Sequence, residues 1–231
     1  MTRASFAGGL FAAGLAGSVA ALLIFAWLAD HVARGATIAF DGATRDFVHQ
    51  HASPSLTVLM RLASGLGSPL PLAILCALAV AVLLAAHSQR AALFFAVTMI
   101  GALVLDATLK LAFHRARPMP FFGTPEPYSY SFPSGHALLL ACCCGIVAAF
   151  VTARIRGRAA RALVWTAAAA LAGAVGYSRI YLGVHYASDV MGGYAAAIIW
   201  VTAAAHADRL WQRSLPGRLA ACGRWTPRGP A

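Results

Sequence analysis

Three short polar blocks interrupt an otherwise apolar chain, and each carries side chains that chemistry uses. The first is KLAFHRARP, Lys110 to Pro118, in which Lys110 and Arg117 stand seven positions apart, close to two helical turns. If the helix persists that far, the two cations share a face and suit a phosphate group: arginine as a bidentate fork, lysine as a point charge. Anchoring of both at a membrane interface by snorkelling accounts for the same residues. Pro118 disfavours helix at Arg117, so the chain is expected to turn there. Asp106 lies one turn before Lys110, and a carboxylate within an apolar run is costly unless paired, so it is read as the structural partner of Lys110.

The second block is SFPSGHALLL, Ser131 to Leu140, where proline, serine and then an apolar run mark a helix start with Ser134 as N-cap. Free amides around Ser134, Gly135 and His136 would make an anion site strengthened by the helix dipole. His136 stands at that mouth, where an imidazole can hand a proton to a leaving oxygen. A plain capping serine with an interfacial histidine is the structural alternative. The third block is YSRIYLGVHYASD, Tyr177 to Asp189. In a helical segment His185 and Asp189 stand at i and i+4, so the carboxylate can accept the Nδ1 proton and leave Nε2 as a base or nucleophile. A purely structural His–Asp pair satisfies the same spacing.

These blocks need a scaffold, and composition says which kind. Of 231 residues, 60% are hydrophobic and 11% charged, less than half the charged share usual for soluble domains. The chain therefore reads as an integral membrane protein. Apolar runs at about 7–29, 69–86, 91–112, 135–153, 162–178 and 187–205 predict an all-α, polytopic bundle of six transmembrane helices. The first run exceeds a signal-peptide core and is read as an uncleaved anchor. Residues 1–209 form one domain with a motif-bearing core at 105–195, followed by a polar cytoplasmic tail at 210–231. Segments 41–50 and 54–69 are expected to be short helices at the interface on the active-site face, because Arg61 and the Gly/Pro residues from Gly65 to Pro71 break the apolar pattern.

Net charge is +11, from 18 basic and 7 acidic residues. Arg3, Arg90, the cluster Arg154 to Arg161 and the tail arginines fall on one side of a six-span chain, which should be the cytoplasm. Both termini are then cytoplasmic and the three polar blocks face outward, towards the periplasm in a bacterial-type inner membrane. With no basic patch interleaved with exposed aromatics, nucleic acid is not an expected partner. Cys76, Cys142, Cys143, Cys144 and Cys222 match no metal or disulfide pattern and read as small buried thiols.

Lys110 with Arg117-Pro118 after six intervening residues, Pro133-Ser134-Gly135-His136, and Ser178-Arg179 with His185 after five and Asp189 after three more: this ordered set resembles the three-part signature of the type-2 phosphatidic acid phosphatase superfamily. That superfamily comprises membrane lipid phosphate phosphatases, with vanadium haloperoxidases and bacterial acid phosphatases as relatives. Every motif position is filled, over roughly 80 residues. The first hundred residues resemble it only in having spans. The resemblance implies that His185 is a nucleophile forming a phosphohistidine and that Asp189 orients it. Lys110, Arg117 and Arg179 would hold the phosphoryl oxygens, with Ser134 and the Gly135 amide adding hydrogen bonds. His136 would protonate the leaving oxygen and then activate water, with no metal or other cofactor.

The implied partner is a membrane lipid phosphate, such as undecaprenyl pyrophosphate, phosphatidylglycerol phosphate or phosphatidic acid. Phe121, Phe122, Tyr128 and Tyr130 are candidates for a lipid entrance or, equally, for an aromatic belt. A lipid phosphotransferase or a catalytically silent lipid-binding relative is the alternative reading. A transporter fits less well, since its charges would lie near the midplane within repeated halves.

Overall fold

The computed structural model describes residues 3–125 and 127–214, with side chains placed within 17–212. Glu126, Cys222 and the tail residues 215–231 lie outside the described residues. Among the described residues the chain is entirely helical, in eight helices: α1 (Arg3–Ala33), α2 (Ile38–Gln50), α3 (Pro54–Leu66), α4 (Pro69–Ala85), α5 (Gln89–Phe113), α6 (Gly135–Thr152), α7 (Arg158–Tyr181) and α8 (Ala187–Ser214). Each of the six apolar runs falls on a helix. Helix α8 extends to Ser214, past the apolar run that ends near 205.

Four helices, α5 to α8, are long and apolar enough to cross a membrane, and up to six spans result if each bent pair counts as one. Those pairs are α1 with α2, bent by 96°, and α3 with α4, bent by 52°. The two short segments expected to be helical form α2 and α3. Ser53 caps α3 through its hydroxyl, which accepts from Leu56 N at 3.3 Å, and proline at the first position supplies the preset φ. A second proline start at Pro69 opens α4 directly afterwards.

Helix α6 is the centre of the bundle, packed between α7 and α8, with α1 on α8, α3 on α7 and α4 on α5. Phe95, Leu138, Leu140, Cys142, Cys143, Ile146 and Val175 fill the core, so the described thiols of α6 are packing groups as expected. In lipid no hydrophobic force drives helices together, so close approach of small residues matters more. Gly176 illustrates it: a Cβ there would stand 1.9 Å from the hydroxyl of Tyr194, which donates to Ala172 O at 2.7 Å. The outward stripe Leu93, Val97, Ile100 and Val104 on α5 is exposed, as a lipid-facing surface requires.

Helix direction follows from the packing. The ends of α5 and α7 and the starts of α6 and α8 meet at one pole. At the other, Arg90 pairs with Asp208 at 2.7 Å, and the α6–α7 turn carries Arg154, Arg156 and Arg158. Arg90 and this arginine cluster therefore lie at the end of the bundle opposite the three polar blocks.

Candidate active site

At the first block the helix ends sooner than the Lys110 to Arg117 spacing requires. His114 adopts a left-handed conformation (φ 45°) and its amide closes on Lys110 O at 3.1 Å, stopping α5 at Phe113. The two cations therefore do not share a helix face, and they meet through the fold instead. Lys110 Nζ lies 2.5 and 2.6 Å from the two carboxylate oxygens of Asp106, the expected i, i+4 pair. Beyond the helix end Arg117 is held by backbone. Its Nε donates to Ser129 O at 2.5 Å and its Nη1 to Val184 O at 2.8 Å.

The second block starts α6 at Gly135 as predicted, with Ser134 extended at the N-cap position. Two details differ from expectation. The Ser134 hydroxyl makes no capping bond, and it is fully buried with no hydrogen-bond partner among the described residues. Its amide is already committed to Asp189 O at 3.0 Å, leaving those of Gly135 and His136 as the first-turn donors. A Cβ at 135 would stand 2.8 Å from Lys110 Nζ and 2.9 Å from Asp106 Oδ2, so a larger residue there would shift that ion pair. The start of α6 thus presses directly on the lysine.

In the third block His185 precedes α8 rather than lying on it. Gly183, with φ of 73°, turns the chain, and the amides of Val184 and His185 fold back onto Arg179 O at 3.1 and 3.3 Å. Asp189, in the first turn of α8, reaches back to accept from Tyr186 N at 2.8 Å, as a capping-box acid does. The same oxygen faces His185 Nδ1 at 3.3 Å. The pair predicted by i, i+4 spacing is made by this reach-back, not by a shared helix.

His185 Nε2 lies 3.0 Å from Arg117 Nη1. A guanidinium only donates, so Nε2 is the acceptor and the proton belongs on Nδ1, towards Asp189. Burial holds the His185 pKa down to about 4, with Arg117 and Arg179 also lowering it and Asp189 opposing them. The imidazole is therefore neutral near pH 7, with its lone pair on Nε2.

The predicted residues come together. Arg179, His185, Lys110 and Arg117 all lie within electrostatic reach of His136. Arg179 is buried, donates through Nη1 to the Ser64 hydroxyl, and leaves Nε without a partner among the described residues. Three cationic side chains, a helix start and two orphaned donor groups around one neutral histidine supply the kind of donors that a tetrahedral oxyanion would need. No three His, Cys, Asp or Glu side chains group to hold a metal ion among the described residues.

Sequence reasoning missed several participants. Arg115 donates to Asp189 Oδ1 at 2.6 Å and to Asp41 Oδ2 at 2.7 Å, and the Ser131 hydroxyl donates to Asp189 Oδ2. From α3, Ser64 supports Arg179, and Gly67 lies so close to His136 that a Cβ would stand 2.9 Å from its Cδ2. Asp41 was detectable by the argument that flagged Asp106: an acid in a membrane chain needs a partner. Among the loop aromatics, Phe121 stacks on His49 (4.1 Å) and Phe122 on Tyr181 (5.3 Å), whereas Tyr128 is fully exposed.

A family model described as the PAP2 superfamily matches residues 91–213. Phosphatidylglycerophosphatase B of Bacillus subtilis is 35% identical over 97 residues, 42% of this chain and 47% of the relative. An undecaprenyl-diphosphatase of Sulfolobus acidocaldarius is 29% identical over 113 residues, 47% and 50% of the two chains. The matched region spans about half the length of these curated relatives. The crystal structure of a transmembrane PAP2-type phosphatidylglycerolphosphate phosphatase from Bacillus subtilis superposes with a TM-score of 0.73 at 26% identity, covering 86% of this chain and 98% of the other. LpxE of Aquifex aeolicus superposes at 0.51 and 22% identity, over 70% and 92%, a likeness of fold alone.

Proposed function

Because the chain belongs to the PAP2 superfamily, we propose that it is an integral-membrane lipid phosphatase working through a phosphohistidine on His185. The observation that carries this reading is the crowding of Lys110, Arg117 and Arg179 around His136 and the neutral His185. Like charges packed this closely repel unless an anion joins them, and a phosphoryl group is an anion of the right shape.

The chemistry follows from the positions. His185 Nε2 attacks phosphorus along the line opposite the ester oxygen, the P–O bond to the lipid breaks, and His136 gives that oxygen its proton. Asp189 stabilises the imidazole as it takes on positive charge. A water then attacks the phosphohistidine, His136 takes the water's proton, and the P–N bond breaks to free inorganic phosphate and the original imidazole. The three cations, the Ser134 hydroxyl and the Gly135 amide hold the equatorial oxygens throughout, as positioned donors do in other phosphoryl transfers.

The substrate class is an amphiphile whose tail stays in lipid while its phosphate reaches the pole of the bundle. Prenyl diphosphates and glycerolipid phosphates both meet that description, and relatives named for each were found. The basic residues at the opposite pole support an outward-facing site with cytoplasmic termini. The test is phosphate release by the purified chain from undecaprenyl diphosphate, phosphatidylglycerol phosphate and phosphatidic acid. Release is expected in chelator and should be blocked by vanadate. No release from any of the three would refute the reading.

A further inference from the structure

We propose that Asp41 and Arg115 are positioning residues of this site, forming a second buried charge layer that sets the orientation and charge of Asp189 and, through it, of His185. The inference rests on the phosphatase reading and deepens it. Neither residue is a fixed position of the three-block signature, although Arg115 lies within the first block, and Asp41 lies outside the 91–213 match altogether.

The geometry is a chain of complementary groups. One Arg115 nitrogen donates to Asp189 Oδ1 (2.6 Å) and the Ser188 hydroxyl (2.7 Å). The other donates to Asp41 Oδ2 (2.7 Å) and Thr37 Oγ1 (3.1 Å). Asp41 also accepts from Ser188 N at 3.0 Å and Ser188 Oγ at 2.6 Å, and it is fully buried, as are Asp189 and Ser188. The Arg115 guanidinium is further covered by Tyr186, 4.3 Å from its ring centre. An isolated buried charge would be expelled, whereas here the partners are mutually satisfied.

Two consequences bear on catalysis. Arg115 pins Oδ1 of Asp189, so Oδ2 is the oxygen left for His185. Asp41 offsets the charge of Arg115, so Asp189 keeps its pull on the His185 proton rather than surrendering it to a bare guanidinium. The charged and titratable groups facing His185 are Asp189 from α8, Arg179 from α7, His136 from α6 and Lys110 from α5. Arg117 faces it from the α5–α6 segment, with Arg115 and Asp41 behind Asp189. Removing the Asp41 charge leaves one more uncompensated cation in that set, which lowers the proton affinity of His185 and weakens support for the cationic imidazole formed during attack.

The experiment compares wild type, Asp41→Asn, Arg115→Lys and Thr37→Val as purified full-length chains, measuring kcat, KM, vanadate inhibition and the pH dependence of phosphoenzyme formation. Misplacement of a catalytic group can cost on the order of 100-fold, so Asp41→Asn and Arg115→Lys should lose roughly 10- to 100-fold in kcat, with KM and vanadate inhibition changed by less than about threefold. In Asp41→Asn the acid limb should move to lower pH. Thr37→Val removes the longest of the four hydrogen bonds that Arg115 donates, at 3.1 Å, and should lower kcat about threefold at unchanged KM. It decides the matter if the charge variants fail to fold. Folded variants with wild-type kcat and an unmoved pH profile would overturn the positioning role alone. A wild-type chain that releases no phosphate would overturn the phosphatase reading, and this one with it.

Discussion

The Arg117 guanidinium donates to His185 Nε2 at 3.0 Å, so the cation proposed to hold the phosphate covers the lone pair proposed to attack it. A phosphoryl group entering the site would take over this donor. The same event would then expose the nucleophile and neutralise the cation, which ties attack to correct seating of the phosphate.

His185→Asn should remove turnover to below about a thousandth of wild type, because loss of a nucleophile removes a whole pathway rather than one contact. Acid-labile phosphoenzyme should vanish with it. A variant retaining a tenth of wild-type turnover would exclude His185 as nucleophile.

The pH dependence has a defined sign. His185 titrates at about 4, below its ordinary 6.5, so its nucleophilic form persists through pH 5 and is lost only as pH falls through about 4. Rapid-quench measurement of phosphoenzyme formation from pH 4 to 8 should therefore show no loss attributable to this group near pH 6.5. A half-maximal rate at 6 to 7 that follows protein rather than substrate ionisation would contradict the buried, neutral imidazole.

Ser64 accepts from Arg179, a buried cation, and a hydrogen bond to a charged group contributes about 1.5–3 kcal/mol. Ser64→Ala should raise KM and weaken vanadate inhibition about tenfold, with kcat falling by less than about threefold. If KM is unchanged, α3 does not take part in holding the phosphate.

Gly67 tests the packing behind His136, the proposed acid–base residue. A Cβ there would lie 2.7 Å from Val175 Cγ1 and 2.9 Å from His136 Cδ2, while one at Gly65 meets nothing within 4 Å. Gly67→Ala should slow turnover about tenfold by displacing the imidazole, and Gly65→Ala should leave it unchanged. Equal activity in the two variants would show that His136 tolerates the shift.

Sidedness can be read by labelling in a cysteine-free background. Tyr128→Cys, fully exposed beside the site, should react with an impermeant maleimide from outside, and Arg158→Cys only after permeabilisation. The reverse pattern would turn the site to the cytoplasm and leave its chemistry intact.

Much of this protein was legible because it is local. An apolar run long enough to span lipid satisfies its own backbone only as a helix, so the bundle follows from composition and run length. Asp106 and Lys110 meet because they lie one turn apart on α5. A shared face for Lys110 and Arg117 depended on the helix lasting that far, and α5 instead stops at Phe113, the turn expected ahead of Pro118 coming already at His114. The predicted cap at Ser134 formed in position but not in bonding: its hydroxyl makes no capping bond, and its amide donates to Asp189 O, 55 residues away in sequence.

The sequence alone determined a helical membrane chain and the residue types of a candidate oxyanion site in three ordered blocks. Only the tertiary structure decided which partners those residues take. Arg115 reaches Asp189 across 74 residues, Arg179 reaches Ser64 across 115 and Ser188 reaches Asp41 across 147. No sequence period encodes separations of that size. They arise because close packing of the helices brings four helix ends to one pole, where each buried charge must then find whichever complement the packing has placed beside it.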